Sequence, residues 1–170
     1  MKPLEHPDTF HLQAAIGWLG LGNWREANQE LEHITPQLRT HPDVLSVRCQ
    51  IYSDAHKWEY VTEIADALCR MLPNEAFGPI RLAQALRKLD RITEARDTLL
   101  PIADRFPAEW RIPFLMGCYY AQLGQLEQAQ DWFGQAMVID PHTVRQEAVE
   151  TTDLTPLWYS MRGTLWKRAR

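Results

Sequence analysis

The side chains in this sequence that are capable of chemistry are dispersed. Its six histidines are His6, His11, His33, His41, His56 and His142. They fall in loops and at expected helix ends, and none forms an HxxxH spacing with a carboxylate that would set a metal site. His11 with Glu30, or His33 with Glu32, supplies the residue types of an acid–base pair, but nothing in the sequence positions either pair. The cysteines, Cys49, Cys69 and Cys118, are odd in number and irregularly spaced, so they make no disulfide framework. Cys49 and Cys118 stand where small residues are wanted, which marks Cys49 as a packed thiol, and Cys118 as one unless it lines a groove. There is no phosphate-cradling glycine loop and no GxSxG. No catalytic, cofactor-binding or metal-binding residues are expected, and contacts with other molecules are left to the surface.

The net charge is 18 − 22 = −4, the wrong sign for a general nucleic-acid binder, which would carry a strongly basic face. No apolar run approaches the ~18–20 residues of a membrane helix, and the start MKPLEHPDTF lacks the apolar core of a secretory signal. With free thiols, this makes a reducing cytoplasm the expected compartment. The chain is long enough to bury a real core.

The stretch Trp110–Pro141 shows the elements that must position the surface. Two short helical patterns meet at Gly124 and end at Pro141. Met116, Gly117 and Tyr120 share one face of the first, helix A, and Ala129, Phe133 and Ala136 share one face of the second, helix B. Such a hairpin cannot bury its seam alone and needs neighbours of the same shape. Stepping by 34 residues supplies them. The turn position holds Gly22, His56, Asp90 and Gly124, and two places later stand Trp24, Trp58, Ile92 and Leu126. Ala27, Val61, Ala95 and Ala129 follow where two helices must approach closely. Leu31, Ala65, Leu99 and Phe133 come next, then Ile34, Leu68, Ile102 and Ala136. The later hairpins close on Pro73, Pro107 and Pro141, whereas the first has Arg39 in that place.

These residues resemble the tetratricopeptide repeat (TPR) family, whose pattern asks for apolar, small and large residues in helix A and for Ala, a large apolar residue, Ala and Pro in helix B. The fourth repeat fits fully, and the third nearly so through Leu82, Ala83, Leu86, Ala95, Leu99, Ile102 and Pro107. The second departs from the pattern at Arg48 and Val61, and the first lacks its proline. The segment Asp153-Leu154-Thr155-Pro156-Leu157-Trp158 is also similar to the ending of small bacterial repeat proteins. The resemblance implies an all-α, right-handed superhelical solenoid of four helix-turn-helix repeats with a C-terminal helical cap. A single domain over residues 1–170 is expected, with repeats at about 8–41, 42–75, 76–109 and 110–143, and a cap and basic tail over 144–170.

The ends and the prolines refine this picture. Residues 1–10 are expected to cap the first hairpin. Val144–Glu150 reads as one more helix, and Leu154, Leu157, Trp158, Met161 and Leu165 recur at helical spacing, as a lid over the last hairpin. The tail Arg162–Arg170 is basic and reads as a solvated end. Pro36 and Pro101 fall inside helices B and should shorten or kink them. Pro79 and Pro113 sit in the first turn of helix A, where the missing donor costs nothing.

In a solenoid of this kind one stripe of each helix A lines a concave groove. The first repeat offers Thr9, Leu12, Ile16 and Leu19, and the second Asp43, Ser46, Gln50 and Asp54. The third offers Phe77, Ile80, Gln84, Arg87 and Lys88, and the fourth Arg111, Phe114, Cys118 and Gln122. The reading is a non-catalytic scaffold that holds a protein or peptide partner, with an acidic stretch meeting Arg81, Lys88 and Arg111 and no part for nucleic acid or membrane. Some members of the family clamp acidic carboxyl-terminal tails with Lys and Asn. The matching places here hold Leu12, Ile16, Val47, Phe77 and Arg81, or one repeat later Ser46, Gln50, Arg81, Arg111 and Leu115, and neither set makes that clamp. Two other readings are a dedicated chaperone for a secreted substrate and self-association through the C-terminal segment, with Trp158 and Trp166 as aromatic anchors.

Overall fold

Helix after helix is what the 34-residue spacing demands, and a computed structural model describing residues 3–160 contains no strand among them. The helices are α1 (Asp8–Gly20), α2 (Trp24–His33), α3 (Pro42–Asp54), α4 (Trp58–Met71), α5 (Phe77–Lys88), α6 (Ile92–Leu99), α7 (Arg111–Gln122), α8 (Leu126–Ile139) and α9 (Pro141–Glu150). The described residues fall into two compact units that divide within α5, between Ala85 and Leu86.

The turns carry the repeat most plainly. Gly22, His56, Asp90 and Gly124 have φ of 72°, 55°, 62° and 75°. All four lie in the left-handed region, which glycine enters freely and other residues enter at a cost. Each starts a helix B two residues later, at Trp24, Trp58, Ile92 or Leu126. The seam residues Ala27, Val61, Ala95 and Ala129 are buried, as are Leu31, Ala65 and Leu99 one turn further on. Small side chains at that point let the two helices of a hairpin close on each other, and the larger residues beyond them fill the space that results.

In the first unit, Leu12, Ala15, Ala27, Leu31, Ile34, Val44 and Ile51 form one buried cluster, with Leu4 packed against it from the N-terminal side. Asp8, in the first turn of α1, is buried. It accepts hydrogen bonds from the Thr35 amide at 2.6 Å and the Thr35 hydroxyl at 3.0 Å, which tie the start of α1 to the chain leaving α2. Where later repeats have a proline, Arg39 closes the first hairpin by donating to the Ile34 carbonyl at 2.9 Å and to Glu32 at 2.8 Å. Arg48 is half-buried at its usually apolar place. Its Nη2 lies 3.1 Å from Glu32 Oε1, a contact that brings the charges together without a hydrogen-bond angle.

Gly78 marks the tightest approach. A Cβ there would stand 2.9 Å from the Cys69 backbone nitrogen and 3.2 Å from the Leu68 carbonyl carbon, atoms of α4 that cannot rotate away. Gly78→Ala is therefore expected to destabilise, because an overpacking cost of about 1–3 kcal/mol exceeds the gain of about 0.8–1.0 kcal/mol from replacing glycine in a helix. A lowered urea midpoint checks this; an unchanged or raised midpoint would show that α4 and α5 separate easily.

In the second unit, Ile112, Met116 and Tyr119 of α7 are fully buried. Gly117 lets α7 approach α8, since a Cβ there would meet the Ala129 carbonyl oxygen and the Phe133 nitrogen at 3.3 Å. The prolines act where the sequence puts them. α2 stops at His33 and is followed by a 3-10 turn over Pro36–Leu38, while α6 stops at Leu99 and passes into a 3-10 segment over Leu100–Arg105. α9 begins three residues before Val144 because Pro141 suits its first position and the Asp140 carboxylate caps the Thr143 amide at 3.0 Å. Residues 155–160 form a further helical turn, and Leu154 and Leu157 are fully buried. Met161, Leu165, Trp166 and the basic tail lie outside the described residues, as do Met1 and Lys2.

Candidate functional site

On the first unit's helix-A face, the sequence-selected polar residues come together. Gln50 Nε2 on α3 donates to Asp54 Oδ1 at 2.7 Å. Arg81 on α5 donates from Nη2 to Gln50 Oε1 and from Nη1 to Gln84 Oε1, the latter at 3.5 Å. The Arg81 guanidinium also lies over the Phe77 ring, 5.4 Å from its centroid, an arrangement in which the ring face attracts the cation. Gln50, Asp54, Phe77, Arg81 and Gln84 are thus one connected set, built from residues a helical turn apart on α3 and α5. Cys49 lies beneath them, fully buried. Burial pushes its thiol up to about 11, with the Arg81 charge pulling the other way, so it stays protonated and unreactive near neutral pH. Leu12 departs from expectation: it belongs to the core cluster and is 7% exposed, whereas Ile16, one turn on, is 44% exposed.

The second unit corrects the reading of its groove residues. Phe114 and Cys118 are 6% and 2% exposed and so do not line an open surface. Phe114 packs by its ring against Trp110 and Phe133, at 5.8 and 6.4 Å between centroids. Burial raises the Cys118 thiol strongly, and the negative charge of Asp153 adds to the effect. Asp153 is there because Arg87, near the end of α5, takes its carboxylate in a two-pronged grip, with Nε donating to Oδ2 at 3.0 Å and Nη2 to Oδ1. Beyond Asp153, Leu154 and Leu157 are buried and Trp158 meets Phe133 edge to face at 5.4 Å. The C-terminal segment therefore lies against the end of α5 and α7–α8 of its own unit. Lys88 is exposed and Gln122 half-buried. Arg111 is engaged by Glu109 through bonds of 2.7 and 2.6 Å, and the guanidinium holds that carboxyl below its ordinary range.

Sequence reasoning missed one feature and could not place another. The Arg87–Asp153 pair spans 66 residues, and only the opposite charges on a helix-A stripe and on the lid segment could have suggested it. His11 and Glu30 do meet, at 2.9 Å, and His33 joins them; the hairpin positions what the linear sequence could not. A cleft of about 200 Å³ bounded by Ala103, Phe106, Pro113, Trp132 and Ile139 is below the ~300–1,000 Å³ of typical small-molecule pockets.

No family model matches the sequence, and none of the curated proteins does. Solved structures match it clearly. TTC0263, a thermophilic TPR protein of Thermus thermophilus, superposes with a TM-score of 0.73 at 18% identity, over 91% of this chain and 82% of the other. The fold is that of tetratricopeptide repeat proteins. MamA of Desulfovibrio magneticus RS-1, from its residue 41 to the end, matches over 99% of both chains with a TM-score of 0.72 at 17% identity. YrrB, described as a TPR protein with an unusual peptide-binding site, matches over 77% of this chain and 68% of its own with a TM-score of 0.62 at 14% identity. The TPR pattern explains why turn glycines and seam alanines recur here while surface residues do not: in such arrays each repeat must fit its neighbours, and the surface is free to vary. Among the described residues, no helix of this chain is long and apolar enough to cross a membrane.

Proposed function

We propose that this chain is a non-catalytic interaction module that holds a segment of a partner protein on its helix-A faces. The observation that supports this most is the grip on its own residues 153–158. Arg87 takes a carboxylate, two leucines go under cover and Trp158 packs on Phe133. A face built in this way suits a segment with an acidic residue followed by apolar ones. The first unit offers the same residue type at Arg81, pre-positioned by Gln50, Gln84 and the Phe77 ring. Fixing the fork before binding reduces the entropy lost on forming a bidentate contact. The partner's acidic side chain meets Arg81, and its apolar anchors rest on Ile16 and Phe77. Arg111 is held by a carboxylate of its own chain, Glu109, whereas Gln50 and Gln84 meet Arg81 with neutral amides, which leave its charge uncompensated by them. The peptide-binding site ascribed to YrrB accords with this reading. Self-association through the C-terminal segment would not use Leu154 and Leu157, which are buried within their own unit.

The test is affinity capture from the native organism read by quantitative mass spectrometry. Loss of one charge-assisted contact costs about 1.5–3 kcal/mol, so Arg81→Glu should lower recovery of the principal partner by roughly tenfold or more. Equal recovery by wild type, Arg81→Glu and Phe77→Ala, all with native circular dichroism, would remove the proposal.

A further inference from the structure

The first hairpin brings together three side chains that the interaction reading does not use. His11 stands on α1, and Glu30 and His33 lie three residues apart near the end of α2, on one face of that helix. Their ligand atoms all lie within 4.8 Å of one another, with His11 Nδ1 2.9 Å from Glu30 Oε2. The His11 and His33 rings meet edge to face, 5.2 Å between centroids. We propose that His11, Glu30 and His33 bind one divalent transition-metal ion of the zinc class.

The donor set carries the argument. Two imidazoles and a carboxylate are a three-ligand set used by open zinc sites, which keep a fourth position for another donor. Nitrogen donors select zinc, nickel or copper over magnesium and calcium, which prefer all-oxygen shells. With bonds of about 2.0–2.2 Å, ligand atoms around tetrahedral zinc stand roughly 3.4 Å apart. Two of the three are already close. His33 is exposed, so its ring can swing inward to close the set without disturbing the core. His11 and Glu30 are half-buried, which limits their freedom before the metal arrives. The bound ion ties α1 to α2 and leaves one position for water or for a donor from another molecule.

Isothermal titration of the full chain with Zn²⁺ alone, in a buffer that does not coordinate metals, tests this. Saturable binding of one ion per chain is expected, and Co²⁺ in its place should give the visible absorption of a low-coordinate site. Loss of an outer-shell partner costs roughly 10–100-fold in metal affinity, so His11→Ala and His33→Ala should each cost at least that much. His33→Ala removes an exposed side chain and keeps the fold intact. His56→Ala, on a turn away from the cluster, should bind as wild type does. Zn²⁺ should raise the thermal midpoint of wild type but not that of His33→Ala. No saturable binding, or binding that survives His33→Ala, or an equal loss in His56→Ala, overturns the proposal.

Discussion

Leu31→Ala is expected to lower the unfolding free energy by about 2–5 kcal/mol, the range for truncating a large buried aliphatic side chain to alanine. Leu31 is fully buried and sits among Leu12, Ala15, Ala27, Ile34, Val44 and Ile51. Ala27, one helical turn earlier on α2, is fully buried in the same cluster, so α2 has little room to move inward to fill the gap. Much of the cavity therefore stays open, which puts the cost toward the upper half of the range. In an array stabilised by nearest-neighbour terms, the loss should fall on the first hairpins. Hydrogen exchange should quicken in α1–α3 and stay near wild type in α7 and α8. A urea midpoint within error of wild type, or exchange raised equally throughout, would contradict this packing account.

Arg87→Glu is expected to release the C-terminal segment from its own unit. The substitution sets two carboxylates where a guanidinium now grips one, and both positions are largely sheltered, at 28% and 19% side-chain exposure. Losing a charge-assisted hydrogen bond of this kind costs about 1.5–3 kcal/mol, and the new repulsion adds to it. The released fraction should therefore rise by roughly 10- to 100-fold. Cys118, 2% exposed and near the Asp153 charge, provides the readout. Alkylation of Cys118 under native conditions, followed by mass spectrometry, should accelerate about tenfold or more, while that of Cys49, buried in the other unit, should not change. The paired variant Arg87→Glu/Asp153→Arg should restore slow alkylation. If Cys118 reacts at the wild-type rate in Arg87→Glu, the segment is held by Leu154, Leu157 and Trp158 without the ion pair.

What could be read from the sequence was what repeats. The turn positions were legible because His56 and Asp90 stand in register with Gly22 and Gly124, and all four share the left-handed backbone. The seam was legible because Ala27, Val61, Ala95 and Ala129 answer one steric need four times over. Shortening of α2 and α6 followed from Pro36 and Pro101, since a ring in place of an amide acts locally. The candidate face was harder to read. Gln50 and Gln84 were selected by their places on helix A and Arg81 by its charge, and they do meet. Phe114 and Cys118 were selected by the same rule and are buried, because the rule counts positions within a repeat and cannot see a segment arriving from outside it. Asp153 reaches Arg87 across 66 residues, and no periodicity encodes that pairing. The His11, Glu30 and His33 cluster was hidden differently: His11 with Glu30 was visible as a pair, but His33 was paired with Glu32 instead, and the convergence of the three depends on the angle at which α1 and α2 pack.

The two proline-shortened helices bear on how the molecule would yield under load. α4 and α8 run 14 residues each, whereas α2 and α6 run 10 and 8 before passing into 3-10 turns. Fewer ladder bonds and poorer geometry make the shorter pair the weaker links. Each unit thus couples one stiff member to one compliant member. Drawn from its ends, the chain should lengthen first at 34–41 and 100–107, giving up slack there before either long helix begins to unwind.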